Sequence, residues 1–162
     1  DRDAMVERLL REPGIETVFD KQDMHEKSPL HYAAESGCVD LTEQLVKRGA
    51  DVSLVDEDER RAAHVAAKRG HLGCLRLLIA ASGAIDRSIG QRDLDESTTL
   101  LLAAEEGRFE VFRYLCDSGA DFNAKDEIGR NALMLAVSKS HYDIAKFLLD
   151  LDIDVSATDV SK

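Results

Sequence analysis

The stretch Ser28–Asp40, SPLHYAAESGCVD, combines a proline, a histidine, an Ala-Ala pair and a glycine at fixed offsets. Its alanine pair returns along the chain, at intervals of 33, 37 and 33 residues: Ala33–Ala34, Ala66–Ala67, Ala103–Ala104 and, altered, Ala136–Val137. A second marker, Gly-Ala followed by an aspartate, keeps the same register at Gly49, Gly83 and Gly119. Two markers in one register indicate a chain built from copies of a single unit.

Each copy predicts two short helices followed by a loop. The segment PLHYAAESG predicts a first helix of about two turns, and VDLTEQLVKRG places apolar residues at helical spacing, which predicts a second. Gly37 stands between them, where a tight turn favours a left-handed backbone, and Gly49 stands where the second helix should end. Two such helices bury too little apolar area to fold alone. We therefore expect the units to stack, with alanines allowing close backbone approach.

Composition restricts the class of partner. The chain has 162 residues, of which 44% are hydrophobic and 33% charged, so it suits one ordinary domain. Its formal net charge of -11 would repel nucleic acid and anionic membranes alike. No apolar run approaches the roughly 20 residues that a membrane helix needs. We therefore expect a protein or peptide partner, no nucleic acid and no direct membrane insertion.

The cysteines bear on the compartment. Cys38, Cys74 and Cys116 are odd in number and far apart, which favours neither a disulfide framework nor a zinc site. A reducing compartment, the cytoplasm or the nucleus, is the expectation. Cys74 and Cys116 stand where other copies have Leu, Ile or Val, so they are predicted to be small buried hydrophobes, with Cys38 at a turn and more exposed. The chain lacks an initiator Met, and we expect it to be a segment of a longer protein.

The motif Ser28-Pro29-Leu30-His31, with Ala33-Ala34 and Gly37, resembles the ankyrin repeat, whose period is 33 residues. The resemblance implies an all-α solenoid of stacked helix-turn-helix units with finger loops. It covers nearly the whole chain as a single domain, 1–162. We expect a partial repeat over 1–22, with its second helix near 4–11, and then repeats over 23–55, 56–92, 93–125 and 126–162.

The copies depart from the family pattern at informative positions. In the second repeat Arg61 replaces the residue whose hydroxyl caps the first helix, at an expected cost of about 1 kcal/mol. Leu101 and Met134 replace the family histidine in the third and fourth repeats, so only His31 and His64 retain it. These two histidines either share a metal or bond to loop backbone, and the resemblance favours the backbone. Residues 83–97 are longer than the other loops and should form the most mobile finger.

No arrangement of residues predicts catalysis. We found no nucleophile with its base, no Gly-rich phosphate loop and no paired carboxylates that a helical stack would bring together. The prediction is therefore a chain that is not an enzyme, with no cofactor, no metal and no small-molecule substrate.

The resemblance implies that a partner binds on the concave face, which finger tips and first helices line. Tyr32, Val65, Leu102 and Leu135 share one position and predict an apolar ladder with rungs about 8 to 10 Å apart. This ladder is either the floor of a peptide groove or padding between first helices. The predicted contact residues are Tyr32, Arg60, Val65, Lys68, Arg69, Leu94, Leu102, Glu105, Glu106 and Leu135.

Together these features predict a non-enzymatic module that binds a partner peptide or domain on the concave face. The alternative is a structural or regulatory segment of a larger enzyme or channel, docking within its own chain. Leu149, Leu151 and Ile153 leave the last helix rather apolar, which favours further repeats or a covering partner.

Overall fold

The computed structural model describes residues 19–83 and 89–151. This part of the chain contains eight helices in four pairs. They are α1 (Pro29–Ser36), α2 (Val39–Lys47), α3 (Ala62–Arg69), α4 (Leu72–Ala81), α5 (Thr99–Glu105), α6 (Phe109–Asp117), α7 (Ala132–Ser138) and α8 (Tyr142–Asp150). Each pair is one predicted repeat, and the described residues form an all-α stack.

The first helices α1, α3, α5 and α7 pack side by side in one row, and each also packs on the second helix of its own repeat. Alanine makes this row possible. Ala33, Ala66 and Ala103 are 0% exposed, as are their pair-mates Ala34, Ala67 and Ala104. A methyl side chain lets two helix backbones approach closely, so leucines from the second helices can fill the remaining space. The predicted stacking is confirmed.

A left-handed glycine ends the first helix in three repeats. Gly37 has φ +70°, and a Cβ placed on Gly107 would lie 2.4 Å from Nδ1 of His141 in the next repeat. The glycine therefore serves both the turn and the close approach of the following unit. The fourth repeat has Ser140 here, with φ 63°. The Cβ of Ser140 therefore lies where, in the first three repeats, a side chain of the following repeat packs against the glycine.

Hydrogen bonds also run from finger to finger. The amide of Glu57 donates to the carbonyl of His25 (3.1 Å), that of Leu94 to Asp58 (2.9 Å), and that of Glu127 to Asp95 (3.1 Å). In each finger an aspartate accepts amide hydrogen bonds from its own turn, as Asp56 does from Asp58 and Arg60, and this aspartate is buried in the second, third and fourth fingers. The four fingers therefore form one continuous edge beside the row of first helices.

Two predictions concern residues outside the described part of the chain. These are the partial repeat at 1–22, of which only 19–22 are described, and the mobility of the longest finger, because residues 84–88 are not described.

Candidate functional site

The two family histidines fix the stack and do not form a ligand site. His31 accepts the Ser28 amide at Nδ1 (3.1 Å) and donates from Nε2 to the carbonyl of Arg60 (2.8 Å). His64 accepts the Arg61 amide in the same way and donates to the carbonyl of Gln91 (2.9 Å). Each imidazole therefore connects the start of a first helix to the next loop. The backbone alternative is confirmed, and both ring nitrogens are already used.

The first two repeats use the histidine at the start of the first helix, and the last two use a capping side chain instead. Where the histidine is absent, the residue before the helix caps it: Thr98 accepts the Leu101 amide (3.3 Å), and Asn131 accepts that of Met134 (2.9 Å). Arg61 offers no such acceptor, and His64 instead satisfies the amide of Arg61 itself. The loss of the cap in the second repeat is therefore only partly offset.

We call the surface made by the four fingers and the exposed side of the first helices the finger face; it is the surface that the resemblance assigns as concave. The apolar ladder does not form a groove floor on it. Val65, Leu102 and Leu135 are 9%, 4% and 1% exposed, so they are buried in the row of first helices and offer almost no area to a partner. Tyr32 alone remains open, at 49% exposure. Of the two alternatives, padding between helices describes Val65, Leu102 and Leu135.

Tyr32 is held by polar contacts of the first finger. Its hydroxyl donates to Oδ2 of Asp23 (2.5 Å), and Nζ of Lys27 lies 5.7 Å from its ring centroid. The hydrogen bond lowers the pKa of Asp23 and raises the pKa of Tyr32. These contacts hold the ring in place while it remains half exposed to solvent.

A charged cluster surrounds Glu35 where the first and second repeats meet. Its carboxylate accepts from Nη2 of Arg69 (2.6 Å) and from Nζ of Lys27 (3.3 Å), and these two cations lower the pKa of Glu35. Lys68 lines the same cavity, of about 140 Å³. Among the described residues, no carboxylate forms an ion pair with Lys68. Lys27, Lys68 and Arg69 therefore outnumber the carboxylate of Glu35, around which they are grouped.

Arg60 belongs to the finger and not to this excess of charge. Its Nε lies 3.3 Å from Oδ2 of Asp56, and its guanidinium also pairs with Asp58. Arg130 repeats the arrangement with Asp126, at 2.6 Å. The predicted contact residue Arg60 is thus engaged in holding its own turn.

The third repeat reverses the charge. Glu105 and Glu106 lie at the end of α5 and are half-buried, and Nζ of Lys139 from the fourth repeat lies 3.8 Å from Oε1 of Glu105. Leu94 stands at the third finger tip and is 59% exposed. The structure therefore brings Lys68 and Arg69 together on one layer and Glu105 and Glu106 on the next.

Sequence reasoning omitted three residues from the predicted contacts that the structure places among these charges: Lys27, Glu35 and Lys139. A signal was present, because Glu35 has the same position in its repeat as Lys68 and Glu105, and Lys139 the same position as Arg69 and Glu106. Which charged side chains pair between repeats depends on how far one repeat is shifted relative to the next, and the position within the repeat does not give that shift.

The cysteines are free thiols. Cys74 is 0% exposed, as predicted, whereas Cys116, which was also predicted to be buried, is half-buried, and so is Cys38. Burial raises the pKa of Cys116 to about 11 and raises that of Cys74. Over residues 19–83 and 89–151, no three His, Cys, Asp or Glu side chains are grouped so as to hold a metal ion.

The helices that the structure describes are all too short or too polar to span a lipid bilayer.

Comparison with known proteins gives relatives of several kinds. The chain is 30% identical over 128 residues to a transient receptor potential cation channel subfamily A member 1 homolog of Caenorhabditis elegans, an alignment covering 79% of this chain and 10% of that protein. It is 37% identical over 89 residues to inversin of Gallus gallus, covering 55% and 8%. It is 31% identical over 110 residues to a putative E3 ubiquitin-protein ligase, XBAT31, of Arabidopsis thaliana, covering 62% and 24%.

The chain thus spans at most a quarter of the length of these three relatives. The family described as ankyrin repeats (3 copies) matches it over residues 1–88, 30–126 and 64–159, which overlap to cover almost every residue. With the stacked helix pairs and left-handed glycine turns, this match shows that the chain belongs to the ankyrin-repeat family.

Proposed function

We propose that this chain is a non-enzymatic protein-recognition module that binds a partner polypeptide on the finger face. Ankyrin repeats are generally protein-interaction modules, and the finger face is where the four repeats differ most in charge. The observation that carries the proposal is the excess of cations around Glu35 in a chain of net charge -11. A local charge opposite to the overall charge attracts and orients a complementary partner.

Tyr32, Lys68, Arg69, Leu94, Glu105 and Glu106 form the proposed contact surface. Tyr32 and Leu94 supply exposed apolar area, and the charged residues supply orientation and register. Val65, Leu102 and Leu135 are left out because they are buried. Arg60 is left out because Asp56 and Asp58 already hold it.

Lysine crosslinking followed by mass spectrometry, in native extract, tests this proposal. Lys27, Lys68 and Lys139 lie on the finger face, whereas Lys47 and Lys146 lie on the exposed sides of the second helices. We expect partner crosslinks at the first three lysines, and we expect Lys68→Glu/Arg69→Glu to remove those at Lys27 and Lys139. Crosslinks concentrated at Lys47 and Lys146 would reject the finger face as the binding surface.

A second candidate function is a structural or regulatory segment that docks on another part of a larger protein. Two observations favour it: the relatives include a channel homolog of which the chain matches 10%, and the last helix pair exposes apolar side chains. Val137, Tyr142, Leu149 and Leu151 are 62%, 78%, 56% and 48% exposed. In a longer protein containing this segment, the second candidate predicts crosslinks from Lys146 within the same chain, and the first predicts crosslinks between chains.

A further inference from the structure

The finger face carries an alternating pattern of charge. At the C-terminal end of each first helix, two consecutive positions hold Glu35-Ser36, Lys68-Arg69, Glu105-Glu106 and Ser138-Lys139. All of these side chains are exposed or half-buried. The second repeat is therefore positive, the third negative and the fourth positive again, along a single row of packed helices.

Ion pairing between the described repeats leaves charged side chains without an ion-pair partner in the second and third repeats. Glu35 is shared by Lys27 and Arg69, so the first and second repeats together keep an uncompensated cation, Lys68. Glu105 has only the distant contact with Lys139 (3.8 Å), and within the described residues no cation pairs with Glu106. The surface consequently offers one free positive layer beside one free negative layer.

The form of the bound segment follows from the buried ladder. An amphipathic helix binds by placing an apolar stripe in an apolar groove. Leu102 and Leu135 are 4% and 1% exposed, so these layers offer no such groove. Only the charged rim and the finger tips remain available, and an extended segment in the polyproline II conformation can reach them with every third side chain, because that conformation has three residues per turn.

We propose, resting on the function proposed above, that the occupant is an extended partner segment carrying an acidic side chain opposite Lys68 and Arg69 and a basic side chain opposite Glu105 and Glu106. Packed helices lie about 10 Å apart. A segment in the polyproline II conformation advances about 3.1 Å per residue and presents every third side chain on the same face. The acidic and basic residues of the partner should therefore be about three residues apart.

Charge variants of these layers should keep the fold. The carbonyl of Lys68 accepts from Nε of Arg108 (3.1 Å), and the carbonyl of Glu105 accepts from Nε2 of His141 (2.8 Å). These contacts between repeats use the main chain at both positions, so they do not depend on the side chains that are replaced.

The probe is a library of random 12-residue peptides displayed on phage and selected on the immobilised 162-residue chain. Three proteins are compared: wild type, Lys68→Glu/Arg69→Glu and Glu105→Lys/Glu106→Lys. Two variants of the second helices change the net charge by the same amounts, Arg113→Glu/Lys146→Glu and Glu43→Lys/Glu110→Lys, and serve as matched controls. Circular dichroism confirms that each variant is helical before selection.

Wild type should enrich peptides with an Asp or Glu about three residues from a Lys or Arg. The Lys68→Glu/Arg69→Glu variant should lose the acidic preference alone, and the Glu105→Lys/Glu106→Lys variant the basic preference alone. Synthetic copies of peptides enriched on wild type should bind each variant about tenfold more weakly in fluorescence anisotropy, with the control variants unchanged.

Two results would overturn the inference and leave the proposed function standing. One is enrichment of peptides without the charge pair, and the other is retention of affinity by both charge variants, when partner crosslinks still occur at Lys27, Lys68 and Lys139. Crosslinks at Lys47 and Lys146 would instead reject the proposed function itself, and this inference with it.

Discussion

Acidification should destabilise this chain by charging His64, before carboxylates with a lowered pKa, such as that of Glu35, are protonated. The imidazole is 0% exposed, and burial lowers the pKa of His64 to about 4, from 6.5. Both nitrogens are committed, with Nδ1 accepting from the Arg61 amide. A second proton has to enter at Nδ1, where it would break that hydrogen bond and place a charge in the core.

The sign and size follow from proton linkage. The unfolded chain binds a proton at His64 near pH 6.5 and the folded chain only near pH 4, so stability is fully present above pH 6.5 and is lost as the pH falls towards 4. Each unit of pKa difference is worth about 1.4 kcal/mol. Between pH 8 and pH 5 the loss should be about 2 kcal/mol from this residue. Burial also lowers the pKa of His31, in the same direction.

Urea unfolding followed by circular dichroism at pH 8, 6 and 5 measures the effect. The matched control is Arg61→Thr/His64→Leu, which copies the Thr98 and Leu101 pair of the third repeat. It retains His31, so the difference between the two proteins isolates His64. Carboxylates with a lowered pKa, such as Glu35, lose their contribution only at lower pH. If the control loses as much stability as the wild type between pH 8 and pH 5, the reasoning about His64 is wrong.

Four further outcomes follow from individual positions in the stack. Gly107→Ala should lower the free energy of unfolding by roughly 2 kcal/mol, because of strain at φ +66° and a clash with His141, whereas Ser140→Gly should raise it by about 1 kcal/mol; urea titration measures both. Ser97→Arg should raise the free energy of unfolding by about 1 kcal/mol at pH 7, because the new arginine can pair with buried Asp93 as Arg130 pairs with Asp126. Burial raises the pKa of Asp93, so this carboxyl is protonated at pH 3, and a gain that persists at pH 3 would contradict the prediction. Cys116, half-buried and with a pKa of about 11, should react with a thiol reagent at pH 8 at least about tenfold more slowly than a cysteine in an unfolded peptide, and labelling as fast as that of the peptide would refute the raised pKa.

The fold could be predicted because its determinants are local and repeated. The alanine pair from Ala33 onward and the glycine turn at Gly37 recur at intervals set by the length of one helix pair. Alanine has the same consequence wherever two helices pack, so its register predicts the row of first helices. The histidine bonds could be predicted from the family resemblance, because both acceptors are main-chain carbonyls that the fold places.

The exposure of the ladder could not be predicted in this way. Tyr32, Leu102 and Leu135 share one register position, which specifies the side of the helix but not the depth to which neighbours cover it. Leucine is short enough to be enclosed once the alanines bring the helices together. The tyrosine ring is larger and has a polar end, so it turns outward to Asp23. Side-chain size and the partner of the hydroxyl, not the register, decide the outcome.

Stacking and the proposed recognition use different atoms of the same residues. Glu35, Lys68 and Glu105 each accept, through the main-chain carbonyl, a hydrogen bond from His71, Arg108 or His141 of the next repeat. Their side chains differ in charge and point to the finger face. Because the stacking contact requires only a carbonyl, the charge at this position can change without changing the distance between repeats. Substitutions of the donors His71, Arg108 and His141 are more restricted, since each of these side chains has to pass a glycine turn to reach the carbonyl of the preceding repeat. The charges of the proposed contact surface can therefore change while the stack that presents them stays the same.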